Sequence, residues 1–215
     1  MQIIALILSI LGLIYLVCAY YGIIRYIKLH LTSTDSYAEN YSKLPKASEH
    51  RVTICFAADE NQLSKLKPFV NSVLDQTVRV DDIALTIPYK DIGKIPENMK
   101  KILATYGYVK DYDNAGNLIC SVLREPESNT KIIVVEPNMV YGQDFIQSMI
   151  EESENNPDKI IYADKKKSGI LIKPKFFNDE ISDYKKGFGC CPWLEKCCKA
   201  ENVNIEYSPT YKSWM

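Results

Sequence analysis

Short β-branched runs recur along this chain, and nearly every one is followed by a stretch with helical spacing. "RVTICFAA" (51–58) ends at the polar cluster Asp59-Glu60-Asn61. After it, Leu63, Leu66, Val70, Val73 and Leu74 recur at intervals of three and four, with Pro68 in the first turn. "IALTIP" (83–88) is stopped by Pro88. "IPENMKKILATYG" then predicts a helix opened by Pro96, with Glu97 at its positive end and Gly107 closing it, followed by a strand "YVKDY" (108–112). Leu118 and Val122 mark another helix within 114–125. "KIIVVE" (131–136) runs into a helix carrying Phe145, Met149 and Ile150. "KIIYAD" and "SGILIKPKFF" are two more strands joined by the solvated turn Lys165–Lys167, and a short helix and the strand "VNIEY" end the pattern. Strands alternating with helices imply a mainly parallel sheet covered on both faces, a three-layer α/β/α domain.

Ahead of that domain, no charged residue occurs from Ile3 to Ile24, a run long enough to cross a hydrocarbon core of ~30 Å. It reads as one transmembrane anchor, because a cleaved signal would carry a basic start, a shorter apolar core and a small-residue cleavage site. Arg25, Lys28 and His30 follow at once, which by the positive-inside rule places the soluble part in the cytosol. Asn40-Tyr41-Ser42, a glycosylation acceptor pattern, leaves the lumenal orientation open. The polar stretch 29–50 lacks apolar periodicity and predicts a tether, giving an anchor at 1–28, a tether at 29–50 and a domain at 51–215. With 26 basic and 27 acidic side chains, the chain lacks the positive excess of a nucleic-acid binder.

The 7 cysteines form no evident framework. Cys190, Cys191, Cys197 and Cys198 in "CCPWLEKCC" lack the separated CxxC pairs of a zinc module, and adjacent cysteines on a regular element point apart. Buried reduced thiols are the leading reading; a metal or disulfide site is the alternative.

In a sheet of this kind, ligands bind at the carboxyl ends of the strands, where the strand order reverses. Those ends carry Asp59 and Glu60, Tyr89 and Lys90, Asp111 and Asp113, and Glu136-Pro137-Asn138. Acidic groups there suit a divalent cation or a nucleotide's ribose and base. Asp59 and Asn61 serve equally as helix caps, Asp113 likewise, and Asp111 as a turn residue. Glu136 has the same alternative, as a cap or turn residue ahead of the helix from Gly142. There is no GxSxG, P-loop, GxGxxG after a strand, or HExxH. Both histidines, His30 and His50, fall in the tether, which argues against histidine acid-base catalysis by the domain.

The stretch "VTICFAADENQLSKLKPFVNSVLDQTVRVDDIALTIP" resembles the opening of nucleotide-sugar glycosyltransferases of the GT-A fold, family-2-like in pattern. Ser72, Gln76 and Thr77 of "SVLDQT" occupy that family's Ser-hydrophobic-hydrophobic-x-Gln-Thr helix end. "KIIVVEPNMVYGQDFIQSMIEE" has the shape of the family's strand, Asp-x-Asp motif, turn and helix, with Glu136, Pro137 and Asn138 where the metal-binding carboxylates belong. The resemblance implies sugar transfer from a UDP- or GDP-sugar to a glycan, lipid or protein, with Mn2+ or Mg2+ held by Glu136 and Asn138. It also implies that Asp59 or Glu60 and Asp113 approach the base and ribose, with Tyr89 and Lys90 facing the donor. The motif is degenerate, since one of its two carboxylates is an asparagine and Pro137 fixes the turn between them. The family's late acidic pair would fall near Cys191-Pro192, where no carboxylate stands, so the general base is unassigned. A catalytically inactive GT-A-like binding or scaffolding module is the alternative to an enzyme, and an unrelated anchored α/β protein a third reading.

Overall fold

The structure, a computed structural model, describes residues 2–20, 22–108, 116–163, 168–177, 181, 183, 196–198 and 201–204. Asp111, Asp113, the Lys165–Lys167 turn, Cys190 and Cys191 lie outside the described residues.

The sheet is built from β1 (Val52–Ala57), β2 (Asp82–Pro88), β3 (Ala104–Tyr108), β4 (Lys131–Val135), β5 (Lys159–Tyr162), β6 (Gly169–Ile172) and β7 (Glu201–Asn204). Its order is β3-β2-β1-β4-β6-β5-β7. β6 alone runs against its neighbours; every other pairing is parallel. Side chains alternate across a strand, so Ile54 and Phe56 enter one core with Ile133 and Val135, while Cys55 enters a second core with Ile132, Tyr162 and Cys197. Both faces of the sheet are therefore covered. Burying side chains the size of Ile54 or Phe56 contributes about 1.5–3 kcal/mol each, and the fully buried set draws on β1, β2, β4 and β5 alike.

The helices are α1 (Gln2–Tyr20), α2 (Ile23–Leu31), α3 (Thr34–Ser42), α4 (Glu60–Leu63), α5 (Lys67–Leu74), α6 (Glu97–Lys100), α7 (Gly116–Arg124) and α8 (Phe145–Asn155). Within α1, Ile3–Tyr20 is long and apolar enough to cross a membrane, and none of it is buried against the rest of the chain. Gly22, at φ 71°, turns the chain between α1 and α2 in a left-handed conformation that favours glycine.

Two expectations of local structure fail. The polar stretch after the span is not an extended tether. α3 is capped by Ser33 and lays Tyr37 and Tyr41, one turn apart, against the core beside Leu29. Asn71 of α5, fully buried, donates to the Leu29 carbonyl at 2.7 Å and to that of Thr32 at 3.2 Å, fixing the end of α2 to the domain. The helix expected from Pro96 to Gly107 also shrinks to Glu97–Lys100, and β3 begins at Ala104 rather than Tyr108. Thr105 and Tyr106 pair with Leu85 and Thr86 of β2, and that ladder outweighs the helical spacing of Met99 and Leu103. Gly107 lies inside the strand, where a Cβ would come within 2.6 Å of Ile92 Cδ1.

Candidate functional site

β1 pairs with β2 on one side and β4 on the other, so the strand order reverses between β1 and β4. The loops leaving their carboxyl ends face the crevice that open α/β sheets form at such a reversal. One carries Ala58-Asp59-Glu60 and the other Glu136-Pro137-Asn138.

The second loop is held from below by the Ser-x-x-x-Gln-Thr end of α5. Ser72 Oγ donates to the Phe69 carbonyl at 2.7 Å and accepts from the Tyr141 amide at 3.2 Å. Gln76 Nε2 donates to the carbonyls of Ser72, at 2.9 Å, and Gly142, while Gln76 Oε1 accepts from the Ile146 amide at 3.0 Å. Thr77 adds its amide to the Gln143 carbonyl at 2.8 Å and its hydroxyl to Gln147 Oε1 at 3.0 Å. The clamped loop then holds the turn above it. Tyr141 Oη accepts from the Glu136 amide at 2.9 Å and donates to the Ser168 carbonyl at 2.5 Å, and the Met139 amide closes the turn onto the Glu136 carbonyl at 3.3 Å. Buried polar groups with complete partner sets rigidify what they hold. The motif that carried the sequence resemblance thus acts as a scaffold for the turn.

On that turn, Glu136 and Asn138 are both exposed, and Pro137 between them restricts Glu136 to extended backbone. Across the crevice Asp59 is engaged as a cap. Its carboxylate accepts from the Gln62 amide at 3.0 Å while Gln62 Oε1 accepts from the Asp59 amide at 2.9 Å, a complete capping box. Glu60 is ion-paired to Lys94, whose ammonium also lies 2.9 Å from Asp91 Oδ1. Hydrogen bonding to Glu60, then to Asp91, holds the Lys94 ammonium above its ordinary value. Asp91 is buried and Lys94 spans the ends of β1 and β2, so this trio ties two strand ends together. Tyr89 and Lys90 stand exposed after β2, with the Tyr89 ring close to Gly107. Among the described residues, no group of three or more His, Cys, Asp or Glu side chains could hold a metal ion.

The sequence reading missed a cavity of about 530 Å3 that opens between the Asn138 turn, the α4–α5 junction and α2. Tyr26 and His30, four residues apart on α2, form one wall; Lys65, Lys67 and Phe69 form another. By sequence His30 falls in the tether, and the fold brings it to this cavity instead. The signal available in sequence was the i, i+4 spacing of Tyr26 and His30, whose rings sit 4.3 Å apart.

No protein-family model matches the sequence, and no curated protein matches it. Solved structures do resemble the fold. A 4-diphosphocytidyl-2C-methyl-D-erythritol synthase superposes with a TM-score of 0.55 at 7% identity, covering 78% of this chain and 94% of its own. The synthase of that name from Anaerococcus prevotii gives 0.45 at 11% identity, covering 78% and 93%. A mannosyltransferase from Pyrobaculum calidifontis, in complex with GDP-Man and Mn2+, gives 0.44 at 11% identity, covering 70% of this chain and 45% of its own. At such identities the likeness is one of fold: this chain shares its mainly parallel α/β architecture with the first of these synthases.

Proposed function

We propose that this chain is a membrane-anchored glycosyltransferase that binds a UDP- or GDP-sugar at the carboxyl ends of β1, β2 and β4 and passes the sugar to a glycan, lipid or protein. In this reading residues 1–28 anchor it and the domain lies on the cytosolic side. The observation that carries the reading is the clamped turn: seven hydrogen bonds involving Ser72, Gln76, Thr77 and Tyr141 fix the one loop that offers Glu136 and Asn138 at the strand reversal. Such pre-organisation is what a donor site requires.

The donor set fits a hard cation completed by phosphate. Mg2+-type ions commonly take only one or two protein carboxylates, with substrate phosphates and water filling the rest. Glu136 and Asn138 would be the two protein ligands, and bound Mn2+ or Mg2+ would supply charge stabilisation to a departing diphosphate. The exposed Tyr89 ring offers a stacking face for the base, and Lys90 a cation toward the phosphates. Glu60, Asp111 and Asp113 keep their proposed place near base and ribose. Asp59 acts there through its cap, by setting the direction of α4.

A second reading has its own support. Glu136 is the single carboxylate of its turn, and the Asp59 and Glu60 carboxylates opposite are already engaged by Gln62 and Lys94. That pattern suits a module that binds a nucleotide sugar without turning it over. Calorimetry of the full chain in detergent, with UDP- and GDP-sugars and with or without Mn2+, separates the two. The transferase reading expects metal-dependent binding that Glu136→Ala weakens about tenfold or more, the loss of one charge-assisted contact. Binding indifferent to metal and without turnover favours the module, and no binding of any nucleotide sinks both.

A further inference from the structure

The cavity beside the Asn138 turn differs from the strand-end site in its chemistry. Its cationic lining residues are Lys65 and Lys67, with the His30 ring beside them, and among the described residues no aspartate or glutamate lines it. Neither lysine has an ion-pair partner among the described residues, so both ammonium groups are available to an anion, unlike Lys94 or Lys131, which are held by carboxylates. The first turn of α5, Lys67 to Phe69, lines the same space, and no side chain caps that helix. An uncapped helix start adds its partial positive charge to the lysines. Tyr26, Phe69 and Met139 give the cavity apolar and aromatic wall, and Gln62, Ser64 and Asn138 add neutral polar groups. A space with cations on one side and apolar surface on the other is complementary to an amphiphile with an anionic head.

Its position fixes which amphiphile. α2 follows α1 directly, and Tyr26 and His30 lie four and eight residues beyond Gly22, which places the cavity wall within about 12 Å of the span at 1.5 Å per residue, whatever the angle between the helices. The polar layer of each leaflet is itself roughly 5–8 Å deep. Outside α1, the exposed large apolar side chains among the described residues are Ile27, Leu31, Tyr89 and Leu123; the first two lie one turn apart on α2, exposed by 50% and 78%. A helix with such an apolar edge and with Arg25 and Lys28 in its own length suits a membrane interface.

We propose that this cavity receives the phosphate headgroup of an anionic membrane lipid, with His30, Lys65, Lys67 and the start of α5 around the phosphate and the tail remaining in the bilayer. The inference rests on the membrane placement of α1 proposed above and is independent of sugar transfer.

The test uses the full chain with vesicles of phosphatidylcholine alone or with phosphatidic acid added, at fixed ionic strength. Flotation with the neutral vesicles reports the anchor by itself; a chain that does not float overturns the membrane placement. Native mass spectrometry of the chain extracted from mixed vesicles then reports lipid retention. The expected result is phosphatidic acid retained about tenfold or more over phosphatidylcholine, a preference lost in Lys65→Gln/Lys67→Gln, since each lysine near a phosphate surface contributes on the order of 1 kcal/mol. Lys28→Gln removes a cation from the same helix outside the cavity and leaves the preference intact. Equal retention of both lipids, an unchanged preference in the double variant, or an equal loss in Lys28→Gln overturns the inference. So does displacement of the lipid by millimolar inorganic phosphate or by UDP, which would assign the cavity to a free phosphate or to the donor.

Discussion

Gln76→Ala probes the clamp directly. Gln76 is 5% exposed and makes three contacts, two donated by Nε2 to the Ser72 and Gly142 carbonyls and one accepted by Oε1 from the Ile146 amide. The last of these serves as the cap of α8, because Asp144, at the N-cap, makes no side-chain cap of its own. Losing a cap costs about 1 kcal/mol, and each buried group stripped of a partner costs a further 1–3 kcal/mol or so. With partial relaxation of the surface loop, the expected loss is about 3 kcal/mol, a fall in Tm of roughly 6–12 °C for a chain of this size. Denaturant and thermal melts of the full chain in detergent measure it. Gln76→Glu sharpens the test: it keeps the acceptor for Ile146 and replaces both donated bonds with a carboxylate facing two carbonyls. Burial among carbonyls raises that carboxyl's folded pKa above its unfolded value, so the variant gains stability as pH falls through the raised value and loses it at neutral pH. A Gln76→Ala variant within about 0.5 kcal/mol of the wild type, the range of an ordinary surface change, would refute the view that this motif is a scaffold.

Two other perturbations test the packing of the segment after the span. Tyr41 is 8% exposed and accepts from the Val80 amide at 2.7 Å; burial pushes its hydroxyl up to about 12. The stabilising contribution is fully present below pH 10 and declines from pH 10 to 12, by on the order of 2 kcal/mol; denaturation across that window should show a shallower decline in Tyr41→Phe, after an overall loss of about 1 kcal/mol for the stranded amide. Arg25→Met removes a 2.8 Å ion pair to Asp75 and a 2.9 Å bond to the Tyr141 carbonyl. The expected cost is about 1–3 kcal/mol, with hydrogen exchange accelerated in 23–31 and in the Tyr141 loop while β1 keeps its protection; unchanged exchange in both segments would mean that α2 is held by its apolar face alone.

The alternation of β-branched runs with helical spacing was enough to read the three-layer sheet, because both faces of β1 and β4 are buried and leave near-continuous apolar runs such as Ile132, Ile133, Val134 and Val135. What escaped the sequence are contacts between residues far apart in it. Gln76 meets Gly142 and Ile146 across 66 and 70 positions, so its motif was legible as a signature but not as a clamp. The segment after the span looked like a tether because Tyr37 and Tyr41 are its main apolar anchors, and two tyrosines a turn apart form too short a pattern to read as an amphipathic helix. Between Pro96 and Gly107 the error ran the other way: local spacing favoured a helix, and the exposed edge of β2 recruited Ala104–Tyr108 as a strand. For Asp59 the sequence left cap and ligand open, and the bonds with Gln62 identify the cap.

These non-local contacts converge on one residue. The Tyr141 carbonyl accepts from Arg25, its amide donates to Ser72, and its hydroxyl spans the Glu136 amide and the Ser168 carbonyl at the start of β6. Its ring packs at 4.4 Å from Phe145 and 6.1 Å from Phe69. A displacement of α2 therefore reaches the Glu136–Asn138 turn through a single rigid aromatic residue rather than through a flexible linker, and the same displacement moves Tyr26 and His30 on the wall of the cavity. The geometry of the turn and the width of the cavity are then set together, by how α2 sits against α5.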